Sequence, residues 1–189
     1  MKIYIEAGAN DGVEQSRSLC FKDNEEYFGI LIEPDPQAYI SCVKNRTNDR
    51  VSFWNVALVS DKYFSPTVKL NKHNASLMNS IMACSGIEYE GAMICEAKTL
   101  QSILDKEDVQ EVEYFFLDVE GFEHNVLQGI DFSRVLFQNI EVESHYPFLG
   151  VSFEEDKNRF VDFFASNGYY LASEQHGDGL PKLTFKPHE

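Results

Sequence analysis

Carboxylates and glycine turns follow directly on apolar runs in the first part of this sequence. The run Ile3–Ile5 leads into the turn EAGANDG at 6–12, and a later run at 30–32 ends in Glu33. Small residues let a backbone turn sharply and lie against a ligand. Glu33 follows Gly12 by about 20 residues, the spacing at which a carboxylate accepts hydrogen bonds from a ribose diol. The pattern predicts a strand, a glycine turn and a nucleoside site.

The charges beside this turn favour a cationic nucleoside over one that bears phosphates. A pyrophosphate cradle has the form G-x-G-x-x-G, whereas only Gly8 and Gly12 are present here. Glu6 and Asp11 flank the turn, and their carboxylates would repel a pyrophosphate even at a helix N-terminus. S-adenosylmethionine has no phosphate and carries a sulfonium and an ammonium group. We therefore expect this methyl donor as the cofactor, ahead of a dinucleotide or a flavodoxin-like domain that binds no nucleoside.

A second group of acids follows two later apolar runs. Asp118 and Glu120 come after the run at 114–117, and Glu143 and His145 lie in the segment IEVESH. Ligands bind at the carboxyl ends of parallel strands in α/β folds, so all four are candidate catalytic residues. His145 is the first choice as general base, because an unperturbed imidazole titrates nearest neutral pH. A histidine before Tyr-Pro also fits an ordinary loop residue.

The same acids suit a metal ion. Asp118 and Glu143, with Glu120 as a further candidate, offer oxygen ligands for Mg²⁺, which would orient a vicinal diol and lower the pKa of a hydroxyl. The other histidines show no metal spacing and are expected at the surface: His73, His124, His176 and His188.

Length and composition indicate one globular domain, 1–189, without a membrane span. The chain has 189 residues, and no apolar run approaches the roughly 18 residues that cross a bilayer. The net charge of −15 argues against DNA or RNA as partners, because one polyanion repels another. A small-molecule or glycan acceptor fits better. Four widely spaced cysteines predict reduced thiols and a cytoplasmic location: Cys20, Cys42, Cys84 and Cys95.

The elements that must position these groups alternate along the chain. Strands are predicted at 3–5, 27–32, 50–58, 114–117 and 140–145, and helices at 13–22, 36–44, 99–106, 122–128 and 153–167. The run at 114–117 is predicted to be buried on both faces. Apolar side chains of the helix at 36–44 are expected to cover the sheet: Tyr39, Ile40 and Val43. An antiparallel hairpin around 178–179 closes the chain, which is typical of methyltransferase sheets rather than dinucleotide-binding ones.

The segment 59–93 has no sustained period, apart from a candidate strand at 63–70. Long irregular insertions in small domains are usually lids or binding loops, so we interpret 59–93 as an acceptor-recognition insertion. Met1 leads directly into the first predicted strand, so no signal peptide is expected. That start fits either a minimal enzyme or a domain of a larger polypeptide.

In this order, the blocks EAGANDG, IEPDP, NVAL, TLQSIL, LDVEGFEHNVLQGI and IEVESH resemble those of FkbM-type S-adenosylmethionine-dependent methyltransferases. The resemblance spans about Ile3 to His145. It implies an α/β, class I methyltransferase Rossmann-like fold, with a seven-stranded mostly parallel sheet, a C-terminal antiparallel hairpin and helices on both faces. It also implies O-methylation of a hydroxyl, often on sugars or polyketide-derived acids. The family commonly has further chain before its first block. No such segment precedes the first block in this sequence, so any lid or dimer arm supplied from that side is in doubt.

The resemblance further implies roles for single residues. Around the methionine part of the cofactor it places Glu6, Gly8, Asn10, Asp11 and Gly12. Glu33 would hold the ribose, and Asp118 would border the sulfonium. Near the adenine it places Asp35 and Ala57, with Pro34 among the cofactor-binding residues. The expected function is O-methylation of a small or glycan acceptor, with a sugar favoured; the alternatives are a non-catalytic cofactor-binding interaction module and a nicotinamide-dependent oxidoreductase.

Overall fold

The computed structural model of the chain describes residues 1–47, 50–74, 78–84, 86–177 and 179–189. The strands are β1 (Lys2–Ala7), β2 (Tyr27–Ile32), β3 (Val51–Trp54), β4 (Ala57–Leu58), β5 (Thr67–Lys72), β6 (Gly91–Lys98), β7 (Glu111–Val112), β8 (Tyr114–Leu117), β9 (Leu136–Phe137), β10 (Ile140–Glu143), β11 (Tyr169–Gln175) and β12 (Lys182–Pro187). The helices are α1 (Pro36–Arg46), α2 (Leu100–Lys106), α3 (Glu123–Leu127), α4 (Tyr146–Leu149) and α5 (Phe153–Ser166).

The main sheet has seven strands in the order β11-β12-β10-β8-β1-β2-β3. The five strands from β10 to β3 are parallel, and β12 pairs antiparallel with both β10 and β11. The implied seven-stranded, mostly parallel sheet is confirmed. Because parallel strands end at one edge, the segments after β1, β2, β8 and β10 meet there. Asp178, at the predicted tip of the β11–β12 hairpin, lies outside the described residues.

Helices pack on both faces of this sheet. Along β1 the side chains alternate, so Ile5 and Ala7 share one core with α2, α3 and α5. Tyr4 lies on the other face, in a cluster with Cys42 of α1. The buried positions of α1 are Ala38, Cys42 and Arg46. The expected stripe of Tyr39, Ile40 and Val43 is therefore wrong, and Ile40 is 65% exposed.

The helix predicted at 13–22 is replaced by irregular chain with one 3-10 turn, Leu19–Phe21. Gln15 adopts a φ of 58°, a left-handed conformation that interrupts a right-handed helix. The ring of Phe21 stacks on Tyr114 at a centroid distance of 5.1 Å. Aromatic side chains thus cover β8 on this face in place of a helix, and Tyr114 and Phe116 are only half-buried. The prediction that 114–117 is buried on both faces is wrong.

The strand predicted at 50–58 is divided between two sheets. β3 belongs to the main sheet, whereas β4 pairs with β6 in a three-stranded sheet of order β4-β6-β5. The chain turns between them at Asn55, whose Nδ2 donates to the carbonyls of Glu33 at 2.8 Å and Pro34 at 3.1 Å. β5 lies within the predicted insertion at 59–93, of which residues 75–77 and 85 are outside the described part.

Among the described helices, we find none that is both long enough and apolar enough to cross a membrane. All four cysteines are free thiols, and three of them are buried.

The close contact between Gly8 and the end of β8 generates a stability prediction. Gly8 has a φ of 87°, and a Cβ there would lie 1.8 Å from the carbonyl oxygen of Asp118. Gly168 has a nearly identical φ of 84° with nothing within 4 Å of its Cβ position. We expect Gly168→Ala to lower the free energy of unfolding by about 1–2 kcal/mol, from backbone strain alone. Gly8→Ala should lose at least about 2 kcal/mol more, because backbone must move.

Urea unfolding followed by the fluorescence of Trp54, the only tryptophan, measures both losses. Equal losses in the two variants would show that the glycine turn does not depend on this contact.

Candidate functional site

A cavity lies at the edge of the main sheet where the parallel strands end. Its lining comes from segments that are far apart in the sequence, namely those following β1, β2, β3, β8 and β10. The predicted site residues among its lining are Glu6, Gly8, Asn10, Glu33, Pro34, Ala57, Asp118, Glu120 and Glu143. The structure therefore brings most of the predicted nucleoside site and three of the four candidate catalytic residues into one space.

The structure places Asp11, Gly12 and Asp35 outside this lining. Oδ1 of Asp11 accepts the backbone N–H groups of Val13 and Glu14, at 2.9 and 2.8 Å. Gly12 packs against α1. Asp11 and Gly12 thus shape the turn, and their contact with a cofactor stays a prediction.

Asp35 caps α1. Its side chain is 2% exposed, and its Oδ1 accepts the N–H of Gln37 at 2.8 Å. Its Oδ2 accepts Nδ2 of Asn79 at 2.9 Å. This second bond ties the cap to the segment 78–84, which also reaches the cavity through Asn79 and Ile81.

Glu33 stands at the nucleoside end of the cavity with its carboxylate already oriented. Oε2 accepts the N–H of Asn10 and Oε1 that of Asp35, each at 2.8 Å. Burial raises the pKa of Glu33 to about 7, although the two N–H bonds oppose the shift. Each oxygen keeps a lone pair that could accept a ribose hydroxyl. The wall beside it is apolar and includes Val56 and Ala57, which suits the flat face of an adenine.

Glu6 also lines the cavity, but protein donors already occupy its carboxylate. Oε2 accepts the hydroxyls of Ser16 at 2.8 Å and Ser18 at 2.6 Å, and Oε1 accepts the N–H of Arg17 at 2.6 Å. Glu6 is only 4% exposed, and these bonds anchor the loop 13–18. The attraction of a cationic cofactor by Glu6 and Asp11 stays a prediction.

Arg46 completes this anchor. Its side chain is fully buried, and Nη1 donates to the carbonyl of Gly12 and the hydroxyl of Ser16, each at 3.0 Å. Nη2 donates to the hydroxyl of Tyr4 at 3.1 Å. The sequence analysis missed Arg46, although its place eight residues after Ala38 on the buried face of α1 is a usable signal.

The other end of the cavity holds a cluster of acids around His145. Nε2 of His145 lies 3.3 Å from Oε2 of Glu120, 3.6 Å from Oδ1 of Asp118 and 3.6 Å from Oε2 of Glu143. Donor atoms of Asp118, Glu143 and His145 all lie within 4.8 Å of one another, so these three residues could hold a metal ion. Glu120 adopts a φ of 55°, which is rare for glutamate, and Ser80 Oγ donates to its carbonyl at 2.6 Å.

Glu123, in the first turn of α3, lies beneath this cluster. It is 1% exposed, and Oε1 accepts the N–H groups of Val119 at 2.9 Å and Gly121 at 3.1 Å. The same oxygen lies 3.0 Å from Nδ1 of His145. The contact is close but bent, since Nδ1 has no aligned hydrogen-bond partner. Burial opposes ionisation of Glu123, but His145 and the N–H groups lower its pKa.

His145 is not placed as a free general base. It is 1% exposed and does not belong to the cavity lining. Burial would lower the pKa of its ring, but Glu123, Glu120 and Asp118 outweigh that effect and raise it well above the usual value. Burial and the charge of Glu143 likewise raise the pKa of Asp118 well above its usual value. Asp118 keeps a 38% exposed side chain, although its Oδ1 is buried without a hydrogen bond.

A second network fixes the backbone beside His145. Ser144 Oγ donates to Oδ2 of Asp156 at 2.6 Å, and Nε2 of His124 lies 3.0 Å from Oδ1 of the same residue. His124 also stacks on Phe160 at 3.8 Å. With a side chain only 16% exposed, His124 is not the surface group that the sequence suggests. These contacts join β10, α3 and α5 under the acid cluster.

Arg17 closes one side of the cavity above β8. Its guanidinium donates twice to Glu141, from Nε at 2.7 Å and from Nη2 at 3.0 Å. Glu141 and Glu6 are the two register neighbours of Phe116 in the sheet. Arg17 and Phe116 both line the cavity, and the sequence analysis singled out neither. Only the folded sheet brings Arg17 and Glu141 together.

Comparisons with known proteins give a consistent result. Residues 6–171 match the profile of the methyltransferase FkbM domain. The 2-O-methyltransferase NoeI of Sinorhizobium fredii (strain NBRC 101917 / NGR234) is 24% identical over 140 residues, which cover 67% of this chain and 56% of that protein. This chain thus spans little more than half the length of that relative.

Two solved structures show the same fold. The methyltransferase FkbM of Methylobacillus flagellatus KT superposes with a TM-score of 0.59 at 14% identity, over 98% of this chain and 43% of that one. The fibrillarin pre-rRNA processing protein of Methanococcus jannaschii superposes with a TM-score of 0.56 at 8% identity, over 98% and 66% respectively. At such identities the likeness concerns the fold alone.

The contacts of Glu6 generate a prediction. In Glu6→Gln an amide nitrogen would face hydroxyl and N–H donors in place of a carboxylate oxygen. We expect a loss of about 3 kcal/mol in the free energy of unfolding, because buried donors lose their acceptor and Arg46 its counter-charge. Amide hydrogens at 16–18 should exchange faster. As a matched control, Glu113→Gln removes only the exposed pair with Lys2 and should change stability by less than about 1 kcal/mol.

Urea unfolding and hydrogen exchange measure these effects. If Glu6→Gln is as stable as Glu113→Gln, the carboxylate does not hold the loop.

Proposed function

The chain belongs to the methyltransferase FkbM domain family, and from this membership we propose that it transfers a methyl group from S-adenosylmethionine to a hydroxyl oxygen. The proposed acceptor is a small molecule or glycan, with a sugar hydroxyl favoured. The matched relative named as a 2-O-methyltransferase supports transfer to oxygen. The observation that carries the proposal is the cavity itself, which joins the oriented carboxylate of Glu33 to the acids at Asp118 and Glu143.

The charge of the cavity supports a cationic donor. At one end Asp118, Glu120 and Glu143 line the space, and their charges favour a sulfonium. Among the described lining residues Arg17 is the only lysine or arginine, and it is already paired with Glu141. A pyrophosphate would therefore find no free cation here. This speaks against the nicotinamide-dependent alternative.

Transfer to oxygen needs alignment of the acceptor with the S–CH₃ bond and removal of one proton. Alignment alone can contribute several kcal/mol, and a positioned base adds roughly 10²–10⁴-fold. Asp118, Glu120 and Glu143 reach the cavity, whereas His145 does not. We therefore assign proton acceptance to one of these carboxylates and a positioning role to His145. This revises the expectation that His145 is the base.

The acceptor side suits a sugar ring. Phe116 presents an aromatic side chain to the cavity, and Arg17 and Glu143 stand beside it. A sugar has apolar C–H faces and hydroxyl edges, so it can contact an aromatic ring while charged groups bind its hydroxyls. The segment 59–93 adds Leu70, Asn79 and Ile81 to the lining, on the side of Asp35 and Ala57. Its part in acceptor recognition stays a proposal.

Asp118 provides the test of catalysis. With labelled S-adenosylmethionine and a panel of mono- and oligosaccharides, wild type should add the mass of one methyl group to an acceptor. Asp118→Asn should lower kcat by at least about 10²-fold, because it removes a carboxylate at the reacting end, while cofactor affinity changes by less than about tenfold. Asp162→Asn on the exposed side of α5 is the control and should retain full turnover.

Mass spectrometry and calorimetry follow the two quantities. Cofactor binding without turnover on any acceptor would favour the non-catalytic interaction module. Binding of NAD in preference to the methyl donor would favour the oxidoreductase.

Glu33 gives a pH prediction. The pKa of Glu33 is raised to about 7 by burial, so the group is protonated below that pH and ionised above it. An ionised carboxylate accepts both ribose hydroxyls, whereas a protonated one loses an acceptor site. Affinity for S-adenosylhomocysteine should therefore rise by about tenfold from pH 6 to pH 8. Glu33→Gln should bind more weakly at pH 8 and lose most of this pH dependence.

Calorimetry at pH 6, 7 and 8 compares the two proteins. If the affinity for S-adenosylhomocysteine depends on pH in the same way in wild type and in Glu33→Gln, Glu33 does not bind the ribose.

A further inference from the structure

The ring of His145 points its Nε2 into the acid cluster, where three carboxylate oxygens lie within 3.6 Å. The nearest carboxylate oxygens are those of Glu120 at 3.3 Å and of Asp118 and Glu143 at 3.6 Å. N–H···O hydrogen bonds are usually about 2.7–3.2 Å long. Oδ1 of Asp118 is buried with no hydrogen bond. A ring that is 1% exposed and a buried carboxylate oxygen without a hydrogen bond thus face the same small space.

The two distances from Nε2 are close to those between ligands of one shared cation, and all three donor atoms lie within 4.8 Å of one another. Two atoms bonded to one metal at about 2.1 Å, at angles of about 90–110°, lie about 3.0–3.5 Å apart. The 3.6 Å distances from Nε2 to Asp118 and Glu143 need only a slight contraction to reach that range. Lys182 Nζ lies 3.4 Å from Oε1 of Glu143, so Oε2 of Glu143 remains available. Asp118 and Glu143 also line the cavity.

The surroundings of the ring resemble those of a histidine that binds metal. Such histidines usually direct their second nitrogen at a carboxylate, which fixes ring orientation and tautomer. Glu123 takes this position at 3.0 Å from Nδ1, and the N–H groups of Val119 and Gly121 hold its carboxylate in place. With a proton on Nδ1 facing Glu123 in a bent contact, Nε2 would direct its lone pair toward Asp118 and Glu143. Metal binding therefore requires loss of the Nε2 proton that the surrounding carboxylates stabilise.

We propose that Asp118, Glu143 and His145 form a binding site for a divalent metal ion that tolerates nitrogen ligands, represented by Mn²⁺. Two carboxylates and one imidazole suit Mn²⁺, Fe²⁺ or Zn²⁺, whereas Mg²⁺ prefers oxygen ligands. The imidazole therefore shifts the expected ion from magnesium to a metal of this class. The role of the site rests on the proposed function: open coordination positions would face the cavity and bind the hydroxyl that accepts the methyl group. With Asp118 and Glu143 as ligands, Glu120 is the carboxylate of the three that is left to accept its proton.

Metal binding can be measured without cofactor or acceptor. Wild-type protein, freed of metal with a chelator, should bind one equivalent of Mn²⁺ in an electron paramagnetic resonance or calorimetric titration. Glu143→Gln and His145→Gln should each weaken binding by at least about tenfold. Glu141→Gln is the matched control, because Glu141 lies on the same strand and pairs with Arg17 instead. It should bind Mn²⁺ as wild type does.

The ion preference tests the imidazole directly. Wild type should bind Mn²⁺ at least about tenfold more tightly than Mg²⁺, and His145→Gln should lose most of that preference. Circular dichroism and urea unfolding check that each variant folds. If His145→Gln does not fold, Mn²⁺ binding to Glu143→Gln still tests the proposal. Absence of Mn²⁺ binding to wild type at millimolar concentration, or equal weakening in Glu141→Gln and Glu143→Gln, would overturn the proposal. Binding of S-adenosylhomocysteine through Glu33 is independent of either result.

Discussion

The burial of one carboxylate at the end of the first strand determines how this cavity is built. Glu6 is almost completely enclosed, and an enclosed charge is stable only if donors surround it. The chain supplies these from Ser16 to Ser18, and Arg46 of α1 adds a fully buried guanidinium on the other side of the loop. The loop is thereby held against the sheet. Its residues from Glu14 to Arg17 become a wall of the cavity.

Carboxylates that accept protein donors also lie at the ends of other strands. Glu33 receives N–H groups from two turns, Asp35 caps α1, and Glu123 receives N–H groups from the turn after β8. Turns at the ends of parallel strands leave backbone N–H groups without a ladder partner, and carboxylates satisfy them. Part of the acidity of this chain therefore belongs to the frame of the site. Glu33 keeps lone pairs for a ligand as well, and Asp118, Glu120 and Glu143 line the other end of the cavity.

Most of the main sheet was accessible from sequence, because apolar runs and glycine turns are local patterns. β1, β2 and the helix after Pro36 follow from such patterns within a few residues. The helix predicted at 13–22 fails because its segment is held by Glu6 and Arg46, and no local pattern reveals contacts that cross the fold. The expectation for His145 is revised for a similar reason. The residue type alone pointed to a base. Only the tertiary structure shows that four carboxylates surround the ring and that the ring does not line the cavity.

The segment 59–93 was identified only by its lack of pattern, yet its described part connects both ends of the cavity. Asn79 donates to the cap at Asp35 on the nucleoside side, and Ser80 donates to the carbonyl of Glu120 on the acid side. Two adjacent residues thus span from the Glu33 region to the strained turn that carries Glu120. Because an intact pair of bonds fixes this separation, a displacement of Asn79 and Ser80 would alter both ends together.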